Sequence, residues 1–314
     1  MTELAVAAKR PVARYVQDYG VYGAVAVLLL FNAFFTDNFL QVSNLRTQLV
    51  QVAPVVIVAL GMALVIGGEG VDLSVGSVMA LAAAVIPLYL GFGVWPAVLM
   101  ALVAGAVAGL VNGSLVAVVG LQPIVATLAL LVAGRGLALV IADGQLKQIR
   151  NADLLALGEG GVLGLPLIAA VLAVVVGFVV HRTTYGRQLV AIGGNRPAAQ
   201  LAGLPVKRVL IVTYVLCGVF AALAGVLATA RLTASDPSAV GNLMELSAIT
   251  AVVVGGTPLT GGRIRVLGTV AGALLMQLLR ATLIQHGLPD STAQMVQAAV
   301  ILVAVYVARQ RRTR

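Results

Sequence analysis

The residues able to do chemistry are few, and most of them sit in one place. Val65-Ile66-Gly67-Gly68-Glu69-Gly70-Val71-Asp72-Leu73-Ser74-Val75-Gly76-Ser77 separates two long apolar runs. Its carboxylates and hydroxyls, on Glu69, Asp72, Ser74 and Ser77, have two readings. Asp72 or Ser74 can cap the helix that follows, accepting its free N–H groups with a carboxylate at the positive end of the dipole. Alternatively, the turn is held inside the protein beside a solute path or its inner gate, because irregular backbone at membrane depth must be buried or face water. Both can hold at once. Asn112, Thr127 and Arg135 join Asp72, Ser74 and Ser77 as candidates for such a path. A cation within a span, as at Arg135 and Arg280, costs about 2.5–3.5 kcal/mol on insertion scales. It must therefore snorkel, find a partner in the bundle or meet the solute.

Covalent chemistry has no support. The two histidines, His181 and His286, lie far apart and no metal-ligand spacing occurs, so no metal site is expected. Cys217 is the lone cysteine, which excludes a disulfide within the chain. A phosphate-binding loop needs Gly-Lys-Ser/Thr, and none of Lys9, Lys147 and Lys207 follows a glycine. An intramembrane enzyme would need a catalytic constellation on facing spans, and the sequence offers none. An ion-coupled carrier would need titratable groups near midplane, whereas the acids here cluster at turns. If ATP powers this protein, another chain binds it.

The elements that must position these residues are helices in lipid. Of 314 residues, 61% are hydrophobic and 10% charged, against about 45–50% and 25% in soluble domains. The apolar runs are long and lack strict alternation, so the chain is read as an all-α polytopic membrane protein and not as a barrel. Ten spans are expected, at 20–35, 48–67, 74–91, 95–119, 123–141, 163–181, 208–229, 243–257, 266–285 and 291–308, forming a single transmembrane domain over 1–314. A tail over 1–19, a loop over 182–207 and a basic tail over 309–314 lie outside the spans. No short h-region closed by an A-x-A site follows the basic N-terminus, which therefore reads as an uncleaved first span.

The net charge of +9 does not point to nucleic acid, because the basic residues flank spans. With the N-terminus inside, Lys9, Arg10, Arg14, Arg182, Arg187, Arg196, Lys207, Arg208, Arg263, Arg265, Arg309, Arg311, Arg312 and Arg314 all fall inside. Only Arg46, Lys147, Arg150 and Arg231 fall outside. That bias favours an even number of spans with both termini cytoplasmic.

Two segments share a plan: 63–81, "ALVIGGEGVDLSVGSVMAL", and 251–274, "AVVVGGTPLTGGRIRVLGTVAGAL". Each is a span ending in Gly-Gly, a polar turn, then a span opening on small residues, which suggests two weak parallel repeats. Gly105, Gly109 and Gly113 recur every fourth residue, as do Gly268 and Gly272; such faces let a neighbouring helix approach closely. In the 182–208 loop, Asn195 can cap a short helix, Pro197 suits its first turn and Gly203 stops it. Leu201 with Ala198 and Ala202 gives that helix a small apolar face. The loop is either a solvated basic segment on anionic headgroups or a docking knob for a cytoplasmic partner.

The ordered set "GGEGVDLSVGSVMAL", "PIVATLALLVAGRG", "GGNRPAAQLAGLPVKR", "LCGVFAALAGVLATARL" and "ELSAITAVVVGGTPLTGGRIRVLGTVAGALL" resembles the permease subunit of bacterial ABC importers for monosaccharides. This ribose-permease-like family is related to branched-chain amino-acid permeases. The resemblance covers about residues 40–305. It implies a type II ABC importer fold and a complex of two permeases, as a homodimer or heterodimer, with a cytoplasmic ATPase that binds ATP and Mg. It also implies a periplasmic sugar-binding protein, residence in the inner membrane, and no cofactor in this chain. Gly193, Gly194, Asn195, Arg196, Ala198, Ala199 and Leu201 would then form the ATPase-coupling loop. An amino-acid or other small polar solute is the alternative cargo. The chain departs from the pattern at Glu69, at Leu279-Arg280-Ala281 and at Gly262-Arg263-Ile264.

Overall fold

A computed structural model describes residues 2–159 and 164–309, with side chains at 19–158, 164–300 and 302. Thirteen α-helices follow one another: α1 (Thr2–Phe35), α2 (Val42–Gly67), α3 (Val75–Tyr89), α4 (Val94–Ser114), α5 (Pro123–Ile141), α6 (Ala152–Glu159), α7 (Leu165–Arg182), α8 (Thr184–Gly194), α9 (Arg196–Leu201), α10 (Val206–Leu232), α11 (Met244–Val254), α12 (Val266–Gln285) and α13 (Asp290–Arg309). Two-residue strands, β1 (Lys147–Gln148) and β2 (Ala234–Ser235), pair antiparallel. Nearly every polar backbone group in the spans is thus satisfied within its own helix, as a hydrocarbon solvent demands.

All ten expected spans are helical. Among the described residues, seven helical segments are long and apolar enough to cross a bilayer, and Tyr19–Phe35 and Met244–Val254 are shorter apolar helices. At about 1.5 Å per residue, the 11 residues of α11 reach about 16 Å, half of a core about 30 Å thick. The expected 1–19 tail is not a separate element, since α1 begins at Thr2. The basic residues expected at the chain ends (Lys9, Arg10, Arg14, Arg309, Arg311, Arg312 and Arg314) have side chains outside the described set.

The bundle has two ends. One carries the turn between α2 and α3, the lobe of α8 and α9, and the turn between α11 and α12. The other carries the β1–β2 pair, where the Ser235 hydroxyl donates to the Ala83 carbonyl at 2.6 Å. The links at the first end are short. After Ser114 the helix loosens into a π turn over 115–119, and Gly120 at φ 84° reverses the chain into Pro123, the first residue of α5.

Two helices form the core, α2 and α10, and small residues explain why neighbours pack so tightly on them. A Cβ at Gly105 would strike the Gly218 carbonyl, one at Gly109 the Tyr214 carbonyl, and one at Gly113 the Ile211 Cα. The glycine face of α4 therefore lies on the backbone of α10 for about two turns. Gly61 of α2 meets Cys217, Gly225 of α10 meets Met79 of α3, and Gly268 and Gly272 of α12 meet Gly255 and Ala251. Around this core, α4, α5 and α7 expose Trp95, Val132, Val174 and Phe178 at 62–74%. A face that apolar is far beyond the patch a soluble monomer shows and suits lipid.

Replacing Gly218 by Leu should break the α4–α10 contact, because the clash is with backbone and not with a flexible side chain. The melting temperature of the detergent-solubilised protein should drop by several degrees or the protein should fail to extract as a monodisperse species. Val107→Ala, on the exposed side of α4, should leave melting unchanged; equal behaviour of the two variants would contradict the packing role.

Candidate functional site

Five of the six path candidates meet in one buried knot at the α8–α9 end. Asp72, Ser74, Ser77, Asn112 and Thr127 are each at most 1% exposed. The Asp72 Oδ1 accepts the Ser74 N–H at 3.0 Å and the Ser74 hydroxyl at 2.6 Å, so Asp72 ties down the residue just before α3. From α4, the Asn112 amide donates to Ser74 Oγ at 2.8 Å and to Asp72 Oδ1 at 3.3 Å. From α3, the Ser77 hydroxyl donates to the Ser74 carbonyl at 2.8 Å and to the Leu130 carbonyl of α5 at 3.1 Å. The Thr127 hydroxyl of α5 donates to the Val71 carbonyl at 3.3 Å. Irregular backbone between two spans is thereby supplied with partners from three helices, which is the condition for it to exist at this depth.

Glu69 stands apart. It is exposed and sits at φ 66°, where a residue with a Cβ is disfavoured. Its conformation belongs to the end of α2: the Glu69 N–H donates to the Ile66 carbonyl and the Gly70 N–H to the Val65 carbonyl, both at 3.0 Å. This is a Schellman C-terminus, whose left-handed position usually carries glycine. The end of α11 repeats it: the Gly256 N–H donates to Val253 and the Thr257 N–H to Val252, with Gly256 at φ 87°. The two turns share one geometry, with Glu69 at the place of Gly256, so the two Gly-Gly pairs align one residue out of step.

The two turns also touch. The Gly262 N–H donates to the Gly67 carbonyl at 3.0 Å. A Cβ at Gly193, in the last turn of α8, would strike that same carbonyl and the Gly262 nitrogen, and one at Gly194 would rest on Gly262. The lobe beyond this junction is built as its residues imply. Asn195 Oδ1 accepts the Ala198 N–H at 3.0 Å and so caps α9, and Gly203 at φ 77° ends it. Ala199 packs inward, Ala198 and Ala202 are exposed, and Leu201 is 91% exposed. Arg196 opens α9, half-buried.

Arg135 does not join the knot. It lies at the opposite end, where its Nη1 donates to the Pro237 and Val240 carbonyls, each at 2.7 Å. It fastens α5 to the loop after β2. In that loop the Ser238 hydroxyl, donating to Asp236, holds the Asp236 carboxyl below the usual carboxylate range, a contribution present at neutral pH and lost as pH falls through the depressed value. Arg280, also read as lying within a span, pairs with Asp290 at 2.7 Å near the same end.

The sequence reading missed two groups. Tyr214 and Cys217 of α10 are buried beside the knot, with the Tyr214 hydroxyl 2.7 Å from where a Gly70 Cβ would be. Gln277 Nε2 donates to Gln48 Oε1 at 2.9 Å and to Gln51 Oε1 at 2.7 Å. Their signal was the i,i+3 spacing of Gln48 with Gln51 and of Gln294 with Gln297, which puts each amide pair on one helix face.

Two variants test the knot and the turn. Asn112→Leu removes two donors from a buried carboxylate and hydroxyl, a loss of about 1–3 kcal/mol, and should lower the melting temperature; an unchanged value would contradict the knot. Glu69→Gly relieves the left-handed position and should raise stability by about 1 kcal/mol; a lower melting temperature would contradict that assignment.

Comparisons with known proteins place this geometry. Residues 44–305 match the family described as branched-chain amino acid transport system / permease component. The chain is 42% identical to the galactofuranose transporter permease protein YtfT of Escherichia coli strain K12 over 82% of its length and 77% of that protein's. It is 39% identical to the ribose import permease protein RbsC of the same strain, over 90% of its length and 91% of that protein's. To the fructose import permease protein FruF of Bifidobacterium longum it is 36% identical, over 89% and 84%. No solved structure matches the chain. With a match across most of its spans and permease relatives aligned over 77–91% of their length, the chain belongs to the branched-chain amino acid transport system permease family of multi-pass membrane transport proteins.

Proposed function

We propose that this chain is the membrane-spanning subunit of an ABC importer that takes up a monosaccharide. The relatives named for galactofuranose, ribose and fructose support the cargo. The observation that carries the mechanism is the backbone junction of Gly67, Gly193 and Gly262 beneath the exposed α8–α9 lobe. In this reading the lobe docks in a cleft of a cytoplasmic ATPase, which binds ATP and Mg, and the chain itself holds no cofactor. Leu201 and Ala198 supply the apolar contact, and Arg196 the charge.

The path of force is short. Motion of the lobe reaches Gly193 at the end of α8, and three backbones without intervening side chains leave no slack there. It passes through Gly67 into the turn that Asp72 holds together, and so to α2, α3, α4 and α5. Through Gly262 it reaches α11 and α12. The knot is a rigid strut in this scheme and not a solute contact, because its five side chains are closed off in the interior and their donors are spent on one another and on backbone, with Asn112 Oδ1 as the knot's one unpartnered oxygen.

The lobe then faces the cytoplasm and the β1–β2 end the periplasm, where a sugar-binding protein delivers the solute. A second permease, the same or a different chain, completes the translocation unit in the bacterial cytoplasmic membrane, and both termini lie inside. An amino-acid cargo is the competing reading, which the family's own description keeps open.

Uptake of labelled ribose, fructose and galactofuranose by cells expressing the whole transporter tests the cargo: one of them should accumulate in an ATP-dependent way, and competition by leucine instead would favour the amino-acid reading. Gly193→Ala and Arg196→Glu should each cut uptake at least tenfold while membrane levels of the chain stay normal. Wild-type uptake in both would overturn the docking and force-transfer roles.

A further inference from the structure

The other end of the bundle holds a cleft that the force-transfer account does not use. Between α2, α11, α12 and α13 lies a cavity of about 150 Å³ lined by Gln277, Gln294, Gln297, Ser247, Thr250 and Arg280 together with apolar residues. At roughly 10–15 Å³ of such space per water, it has room for on the order of ten waters. By helix rise, Ser247, Gln294 and Gln277 sit about 5–12 Å below the ends of their helices at the β1–β2 end, and Val55 and Ala273 floor the cleft near 20 Å. The short α11 forms one wall.

We propose that this cleft is the outer part of the solute path, and that its amides and hydroxyls receive a monosaccharide released at the periplasmic end; this rests on the import reading given above. The chemistry of the wall carries the inference. The Ser247 and Thr250 hydroxyls donate to the Leu243 and Leu246 carbonyls of their own chain segment, so what α11, α12 and α13 offer across the cleft is the oxygens of these hydroxyls and amides, acceptors that hydrocarbon leaves without partners and that water or a polar solute satisfies. Each such oxygen can accept from a sugar hydroxyl. No carboxylate lines the cleft among the described residues, and the one lining cation is engaged: Arg280 Nε bonds Asp290 at 2.7 Å, whose second oxygen accepts from Gln294 Nε2 at 3.0 Å. The cleft therefore fits a neutral polyhydroxylated molecule better than a zwitterion, which would need a fixed charge of each sign.

Gln277 is the organising residue. Its Nε2 donates to both Gln48 and Gln51, which fixes its amide plane and leaves its carbonyl oxygen as an acceptor for a solute hydroxyl. Gln297 is steadied by a bond from Nε2 to the Met276 carbonyl at 3.3 Å. A few neutral contacts of this kind hold a solute weakly, which suits a path that must release what it admits. Placing the outer path here also moves it away from Asp72 and its partners, none of which lines the cleft.

Thiol labelling of whole cells expressing the full transporter tests this directly, since the native Cys217 is fully buried. Ala298→Cys lies on the cleft wall, and Met295→Cys lies on the same helix, 73% exposed but outside that wall. A membrane-impermeant charged maleimide added outside should label A298C and cut uptake of the imported sugar at least tenfold. M295C should stay unlabelled or keep its uptake. Gln277→Leu should lower uptake tenfold or more without lowering the ATP hydrolysis stimulated by loaded binding protein, a split that a merely misfolded chain would not give. An A298C chain that transports normally and resists the reagent, or is labelled with uptake intact, overturns the cleft alone. Absence of uptake of every monosaccharide by the unsubstituted chain overturns the import reading and the sugar assigned here together.

Discussion

One backbone hydrogen bond, from the Gly262 N–H to the Gly67 carbonyl, joins the two irregular turns of this bundle, and Gly193 closes on the same atoms. A side chain at Gly193 would strike the Gly67 carbonyl and the Gly262 nitrogen, one at Gly262 would press on Gly194, and one at Gly67 would overlap the Ile264 side chain. The constraint behind it is the solvent: spans that cannot hydrogen-bond to lipid must end in turns that satisfy their own groups. The Schellman ends of α2 and α11 do this locally, and the Asp72 knot does it between helices. Glycine at the junction is thus a consequence of stacking three such chain reversals at one level.

From that junction the division of labour along the bundle follows. The end with the lobe is stiff, with polar side chains engaged internally and backbones in direct contact. The end with the β1–β2 pair is more open, and the cleft among α2, α11, α12 and α13 lies there. Between them, α2 and α10 form a column on which α3, α4 and α12 pack through glycine and alanine. In the proposed mechanism the first end receives force and the open polar end a solute, two tasks that need different surfaces and are assigned to opposite ends.

Much of this was legible in the sequence because the dominant signals are local. Apolar length marked the seven helices long enough to cross, the four-residue glycine spacing marked the face of α4 that meets α10, and Asn195, Pro197 and Gly203 bounded α9 as expected. Asp72, Ser74 and Ser77 are near one another along the chain, so their grouping was visible. Three things were not. Arg135 is polar at a depth that suggested a path, yet its partners are carbonyls of a loop a hundred residues away. Gln277 is separated from Gln48 and Gln51 by more than two hundred residues, and only the tertiary fold brings its amide to theirs. The length of α11 depended on where Gly255 and Gly256 stopped it, and an apolar run of 243–257 does not reveal that its last turn is a reversal.

The central claim is that the α8–α9 lobe and the Asp72 turn move as one body through the Gly67–Gly193–Gly262 contact. Hydrogen–deuterium exchange on the assembled transporter, compared without nucleotide and trapped with ATP, reads this at the residues concerned. The account predicts that protection changes together over 189–195, 66–75 and 261–264. A change confined to 189–195, with 66–75 exchanging at the same rate in both states, would contradict it.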